Sequence, residues 1–369
     1  MSRPDRGHAL AEAVRTLAGS RIVGIEETWP DPGSILGVIT DLALDRMEVR
    51  HSLKALAGRL AGRPMPIVCL LGVRNEATLR DAERLGATAC LSAMTEPAAV
   101  VAALFRQIAP DKTLTDLLVA YSVDRAATLF TGMFEAARSG TIAIDAVDDQ
   151  VDPVLLALRE GGLRRWLDLV QAHDDMTVRH CLLVAGLVAN FSIHLGLSRT
   201  DRKALLRAAL VHDVGKARIP LAILNKPGPL DAAEMAVMRT HAAVGHDILF
   251  ASGMRDPVAL PATRHHHEML DGSGYPDRLS GDRIDDPIRL LTICDIYAAL
   301  TERRPYRPAM PQAEALRVLR GMSAAAKLEP ALVEAFAASL EGDPVEATTR
   351  GEPWRVSGGL RPVIREGRA

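Results

Sequence analysis

Nine of the eleven histidines fall in one central stretch, from His173 to His267. Imidazoles joined by nearby carboxylates are the donors of a metal site, and the competing reading is a His-rich helical surface. Spacing helps to separate the two. If Met176 to Leu195 form a helix, His180, Val184, Leu187 and Phe191 share one stripe at i, i+4, i+7 and i+11, so the imidazole lies on the apolar face. Leu205, Ala208, Ala209 and His212 follow a similar period in the next helix, and Met238, His241, Gly245 and Ile248 do so after Asp231. A fourth helix, starting near Pro287, aligns Ile288, Leu291, Asp295 and Ala298. A carboxylate on an apolar face needs a cation or a strong donor, because burying it unpaired is costly. Each residue alone could be an ordinary satisfied core group; four together point inward at something shared.

Two further segments carry chemistry. In VHDVGK, Val211 to Lys216, a His followed by an Asp at a helix end supplies a neutral nitrogen ligand and a carboxylate able to reach two ions. Gly215 would permit the turn that aims Lys216 back. RHHHEMLDGSGYP, Arg264 to Pro276, adds His266 and His267 and then a Gly-rich turn, although three adjacent histidines also occur in solvated loops.

These residues need elements to hold them. Residues 1 to about 108 alternate short apolar runs, Ile35 to Ile39, Pro66 to Leu71 and Ala87 to Leu91, with helical segments His51 to Leu60, Glu76 to Leu85 and Pro97 to Ile108. That alternation predicts an α/β unit with a parallel sheet. From Thr113 to about Leu340 the periodicity is helical, broken near Ile219 to Leu230 and Asp271 to Pro287 by Gly, Pro and Asp. The expected division is residues 1–108, a helical linker 109–168, a helical domain 169–340 and a loosely ordered tail 341–369.

Composition narrows the class. A chain of 369 residues with 48% hydrophobic and 24% charged residues is globular and long enough for about two domains. Lys plus Arg against Asp plus Glu is 44 − 46, a net −2, which gives no general attraction to DNA or an anionic membrane. Cys69, Cys90, Cys181 and Cys294 form no CxxC pair, as a reducing cytoplasm tolerates. No apolar run approaches the roughly 20 residues of a membrane span, and MSRPDRGH is not a signal peptide, so a cytoplasmic location is expected.

The N-terminal unit resembles a response-regulator receiver domain, a doubly wound parallel sheet. Asp41, after ILGVIT, stands where the phospho-accepting aspartate would be, with Glu26 and Glu27 near the acidic metal pair. Leu71 replaces the usual Thr or Ser and Ala93 the usual Lys, so a phosphoryl group would lack its charge partner and switch contact. A pseudo-receiver used for docking or dimerisation is expected. The helical part, from Leu169 to Leu340, resembles the HD-GYP branch of the HD metal-dependent phosphohydrolases. MTVRHCLLVA, HDVGKARIPLAILNKPGPL, MRTHAAVGHDIL, HHEMLDGSGYP and CDIYAALTERRPYRPAM each match a block of that family.

The resemblance implies an all-α bundle around two or three divalent ions, usually iron or manganese, that hydrolyses cyclic di-GMP to pGpG or GMP by a metal-activated hydroxide. It assigns His180, His212, Asp213, His241, His266, His267 and Asp295 as metal ligands, with Asp213 bridging. Where some members have a Glu for a third ion, this chain has Met176, whose thioether a hard cation will not choose, so two ions are expected. Ala298 stands where many members have Asp, while His173, His194, His246 and His265 match no ligand position. Lys216 would sit beside the scissile phosphate, Arg304 and Arg307 would hold phosphate oxygens, and Tyr275 would cover a guanine or face a protein partner. Alternatives are a module that binds cyclic di-GMP and metal without turnover, and an HD phosphohydrolase for another nucleotide. Partners other than substrate would dock through the GYP loop or the N-terminal unit, or as a second copy in a homodimer.

Overall fold

A computed structural model describes residues 37–40, 51, 54, 55, 58, 65–303 and 309–341. Asp41, Glu26, Glu27, most of the expected helix from His51 to Leu60 and the tail after Glu341 lie outside the described residues. The chain divides into two compact units, one ending at Tyr121 and the other starting at Ser122.

In the first unit, the apolar runs form strands β1 (Val38–Thr40), β2 (Ile67–Leu71) and β3 (Ala89–Ser92), in a parallel sheet of order β1-β2-β3. All five residues of β2 are buried, as a strand covered on both faces requires. Alternate side chains separate into two clusters. Ile67, Cys69 and Leu71 pack with Ala82 and Leu79 of helix α1 (Glu76–Arg84), while Val68 and Leu70 pack with Val100 and Leu104 of helix α2 (Pro97–Ile108). Asn75 caps α1 in a reciprocal box with Thr78. The register sets Cys69 beside Cys90, which sequence spacing had kept apart; both are free thiols.

Helix α3 (Leu114–Ser139) contains the division between the units, and the second unit is otherwise helical. Helix α4 (Ile144–Val170) bends at Gly162, whose φ of 76° is left-handed, and its last turns carry Trp166. The next helix, α5 (Met176–His194), starts on an Asp175 cap that accepts from the amides of Thr177 and Val178. Trp166 is fully buried against α5 and donates its indole N–H to the Leu182 carbonyl at 2.9 Å. Gly186 makes room for it, since a Cβ there would sit 2.4 Å from the indole ring. Fifteen residues of α5 are buried, covering every side of it. This corrects the expectation about apolar runs, because α5 is long and apolar enough to cross a membrane by length and composition. Here it is enclosed by protein, as the central helix of a bundle is.

The unit continues with α6 (Arg199–Val211), the one-turn α7 (Leu221–Leu224), α8 (Ala232–Arg239), α9 (His241–Ala251), α10 (Ala259–His265), α11 (Asp286–Thr301), α12 (Gln312–Ala324) and α13 (Pro330–Ser339), of which α6, α11 and α13 pack on α5 together with α4. The sequence reads Met238 to Ile248 as one helical stripe, whereas the chain breaks into α8 and α9 at Thr240, so that His241 begins a helix. Phe336 of α13 closes the far end of the core, edge-on to Phe191 and Tyr297. Replacing Trp166 with Ala should cost about 3–5 kcal/mol of stability, as the largest aromatic truncations do. Chemical denaturation monitored by circular dichroism measures it, with an unchanged unfolding midpoint counting against this account of α4–α5 packing.

Candidate metal centre

The ends of three α-helices and the bodies of two more bring seven donors to one place. His212 follows the last residue of α6, Asp213 precedes a short 3-10 helix (Val214–Arg218), His241 opens α9, and His266 and His267 follow α10. His180 projects from the second turn of α5 and Asp295 from the middle of α11. All except the half-buried His267 are buried.

Asp213 stands at the centre. Its Oδ2 lies 3.3 Å from His212 Nε2 and 3.6 Å from His180 Nε2, while its Oδ1 lies 3.3 Å from His241 Nε2 and 3.8 Å from His266 Nε2. Each carboxylate oxygen thus faces a different imidazole pair. Asp295 spans the same divide, with Oδ1 2.9 Å from His180 Nε2 and Oδ2 3.7 Å from His267 Nδ1. Two groups of donors result, His180 with His212 and Asp213, and His241 with His266 and His267; within each, the donor atoms lie within 4.8 Å of one another.

Backbone carbonyls fix which nitrogen faces inward. His212 Nδ1 is 2.8 Å from the Ala209 carbonyl, His241 Nδ1 is 2.7 Å from that of Met238, and His266 Nδ1 is 2.9 Å from that of Thr263. A carbonyl oxygen only accepts, so each Nδ1 carries a proton and each neutral ring presents a bare Nε2 to the centre. The Nε2 atoms of His241 and His266 are 3.3 Å apart, those of His241 and His267 are 3.2 Å apart, and His212 Nε2 has no hydrogen-bond partner among the described residues. Lone pairs aimed at one another inside a protein repel unless a cation lies among them. The donor set therefore fits a divalent metal ion.

Charge agrees with this chemistry. Burial works against ionising Asp213, yet Lys216 and the imidazoles around it hold its carboxyl well below the usual range. Asp295 is likewise held low against burial, first by its hydrogen bond to His180 and then by the imidazoles of His267 and His212 beside it. Burial pushes His241 and His266 down, and His267 down to about 3, which keeps these three rings neutral and able to ligate, whereas Asp213 and Asp295 raise His212 against its burial. For Lys216 burial opposes the charge, but Asp213 and Asp295 raise the ammonium, which pairs with Asp213 Oδ2.

Two glycines permit the convergence. Gly215 has no left-handed φ, contrary to the turn expected of it; a Cβ there would lie 1.9 Å from the His241 carbonyl oxygen and 2.6 Å from the Gly245 amide nitrogen. The hydrogen side chain lets the segment after Asp213 press against the start of α9. Gly274 has the same use, since its Cβ would meet the backbone of His267, Glu268 and Met269 within 2.4–2.6 Å. Of the GYP loop glycines only Gly272 is left-handed, at φ 78°. Tyr275 then stacks on His267 with ring centroids 4.8 Å apart, and the Arg239 guanidinium lies 5.2 Å from the tyrosine ring centre. Arg304 and Arg307 lie outside the described residues.

Sequence reading missed Glu268, a buried carboxylate that accepts from the amides of Asp277 at 2.7 Å and Leu279 at 3.1 Å and so pins the loop beside His267. Its only signal was position, directly after the last histidine of HHH. His265, given no role, pairs with Asp277 at 2.9 Å, as does Arg264 through two bonds. Thr292 ties α11 to this segment by donating to the His266 carbonyl at 2.9 Å.

Residues 164–332 match the family described as HD domain. Over 151 residues, 41% of this chain, the sequence is 42% identical to 3'3'-cGAMP-specific phosphodiesterase 3 of Vibrio cholerae, covering 33% of that protein. It is 32% identical over 235 residues, 63% of this chain, to cyclic di-GMP phosphodiesterase PA4108 of Pseudomonas aeruginosa, covering 56% of it. It is also 44% identical over 138 residues, 37% of this chain, to the cyclic di-GMP phosphodiesterase response regulator RpfG of Xanthomonas campestris, covering 35% of it. The aligned part thus spans a third to just over half of these relatives.

Gly215→Ala should drive α9 away from the Asp213 segment and lower stability by about 1–3 kcal/mol, the usual cost of overpacking. Thermal unfolding tests it, and a variant as stable as the parent would show that the two segments need not touch.

Proposed function

From the HD domain that residues 164–332 carry, we propose that the chain hydrolyses cyclic di-GMP, with two divalent ions held by His180, His212, Asp213 and Asp295 on one side and by Asp213, His241, His266 and His267 on the other. The observation that carries this reading is the split of the Asp213 carboxylate, one oxygen toward each imidazole pair. Five imidazoles and two carboxylates suit iron or manganese better than magnesium or calcium, which take oxygen donors. When bound, such ions neutralise phosphate oxygens and lower the pKa of water toward 7. Met176, at the first turn of α5, offers no carboxylate for a third.

The chain's own groups do the rest. Asp213 and Asp295 supply the negative charge that retains the cations, and the carbonyl-bound imidazoles stay in one orientation throughout turnover. Lys216, half-buried beside Asp213, offers an ammonium to the charge that develops on a phosphodiester in the transition state, and a proton for the leaving ribose oxygen. Tyr275 and the Gly272–Pro276 loop border the His267 side, where a guanine or a protein partner would lie. Arg304, next to Arg303, and Arg307 are assigned to phosphate oxygens.

A second substrate has support of its own, because one of the relatives above is named for 3'3'-cGAMP. That molecule also carries two phosphodiesters in a ring, and the same metal chemistry would open it.

For the N-terminal part, the consecutive parallel strands with a helix on each face support the receiver-like, doubly wound reading. Leu71 ends β2 and Ala93 follows β3, so a hydroxyl and an ammonium are missing from those two strand ends, and docking or dimerisation is the use we assign. We keep the division into 1–108, 109–168, 169–340 and 341–369, and a cytoplasmic location.

The test is to load the protein with Mn2+ or Fe2+ under reducing conditions and follow cyclic di-GMP and 3'3'-cGAMP to linear product by chromatography. Faster consumption of cyclic di-GMP is expected; faster consumption of 3'3'-cGAMP selects the second substrate, and binding with no product leaves a signalling module. Asp213→Ala should abolish metal retention, measured by elemental analysis, together with turnover. Lys216→Ala should keep both ions and slow the reaction by on the order of 10²–10³-fold, as loss of one preorganised donor does.

A further inference from the structure

His180 differs from its neighbours in how its outer nitrogen is served. His212, His241 and His266 sit at helix ends, where a carbonyl three residues back accepts Nδ1–H. His180 stands inside α5, and its Nδ1 is buried with no hydrogen-bond partner among the described residues. The group facing that nitrogen is Glu302, with Oε2 3.8 Å away. Glu302 is only 3% exposed and directly follows α11, the helix that carries Asp295. Its other oxygen lies 3.4 Å from Arg179 Nε. Arg179 also donates to the carbonyls of Arg303 and His173, both at 2.8 Å, which ties the segment after α11 to the start of α5.

We propose that Glu302 is the positioning carboxylate of the His180 subsite, accepting Nδ1–H when Nε2 turns to a metal ion. The inference rests on the metal reading given above. In the described geometry Nε2 lies against Asp295 Oδ1 at 2.9 Å. Once Nε2 is a ligand, the proton of the neutral ring must reside on Nδ1, and a carboxylate there both fixes that tautomer and makes the ring a stronger donor. A shift of roughly 1 Å brings Oε2 within bonding distance. Arg179, paired with the other carboxylate oxygen at 3.4 Å, steadies Glu302 beside the ring.

The experiment is a two-site titration of the metal-free full chain with Mn2+, read by calorimetry and by electron paramagnetic resonance, on the parent, Glu302→Gln and Glu302→Ala. The alanine variant should lose roughly 10–100-fold in affinity for one Mn2+ while the other binds as in the parent, and the glutamine variant should lose about tenfold at the same site. Because a glutamine side chain keeps the size and an oxygen for Arg179, the inference stays testable if the alanine variant fails to fold. Unchanged affinity at both sites, or equal weakening of both, would overturn the role of Glu302 while leaving the metal centre intact. A parent protein that takes up no Mn2+ or Fe2+ would instead remove the metal reading itself.

Discussion

One carboxylate shared between two sets of imidazoles governs the helical unit. Asp213 is almost wholly buried, and an isolated charge in such a place would cost several kcal/mol. What makes it tolerable is Lys216, whose ammonium reaches it from the side. The imidazoles gain little from one another, because their inward nitrogens carry lone pairs. The polar centre is thus a place of repulsion held closed by its surroundings. Those surroundings are Trp166 of α4, the enclosed α5, and the pair Phe191 and Phe336, all fully buried or nearly so. Core packing supplies the stability that the centre consumes, as buried functional sites generally require.

Helix termini are used here as orienting devices. The last carbonyls of a helix have no intrahelical partner, and three of them are taken by the histidine three residues further on. The same bond satisfies the helix end, selects the tautomer and turns Nε2 inward. It also explains the break at Thr240, which a continuous helical stripe did not predict. Were α8 and α9 a single helix, the Met238 carbonyl would be engaged by a backbone amide four residues on, and His241 would lose the acceptor that aims it.

Legibility in the sequence followed physical range. Helical periodicity placed His180, His212, His241 and Asp295 on inward stripes, because burial of an apolar face is written in local spacing. The strands at 67–71 and 89–92 and the helices at 76–84 and 97–108 were legible for the same reason. What spacing could not show was contact between distant backbones. Gly215 reads as a turn former, yet its use is to let the chain pass within reach of His241, a property of two segments together. Glu268 and Glu302 look like surface carboxylates in sequence; only the fold buries them and gives them amides or an arginine. Cys69 and Cys90 are neighbours only through parallel register.

The GYP loop shows how the two kinds of information meet. Its glycines read as turn residues, and Gly272 is one, but Gly274 serves packing: the loop lies so close to residues 267–269 that no side chain fits between. Glu268 then binds two amides on the loop's far side, and Tyr275 N–H reaches the His267 carbonyl at 3.3 Å. His267 is the least buried of the inward groups, so it depends most on such support. A loop fastened on both sides of one histidine limits how far that imidazole can move, while leaving Tyr275 half-exposed at the rim. The segment therefore ties the half-buried His267 to Tyr275 at the rim, whose ring stacks on the imidazole.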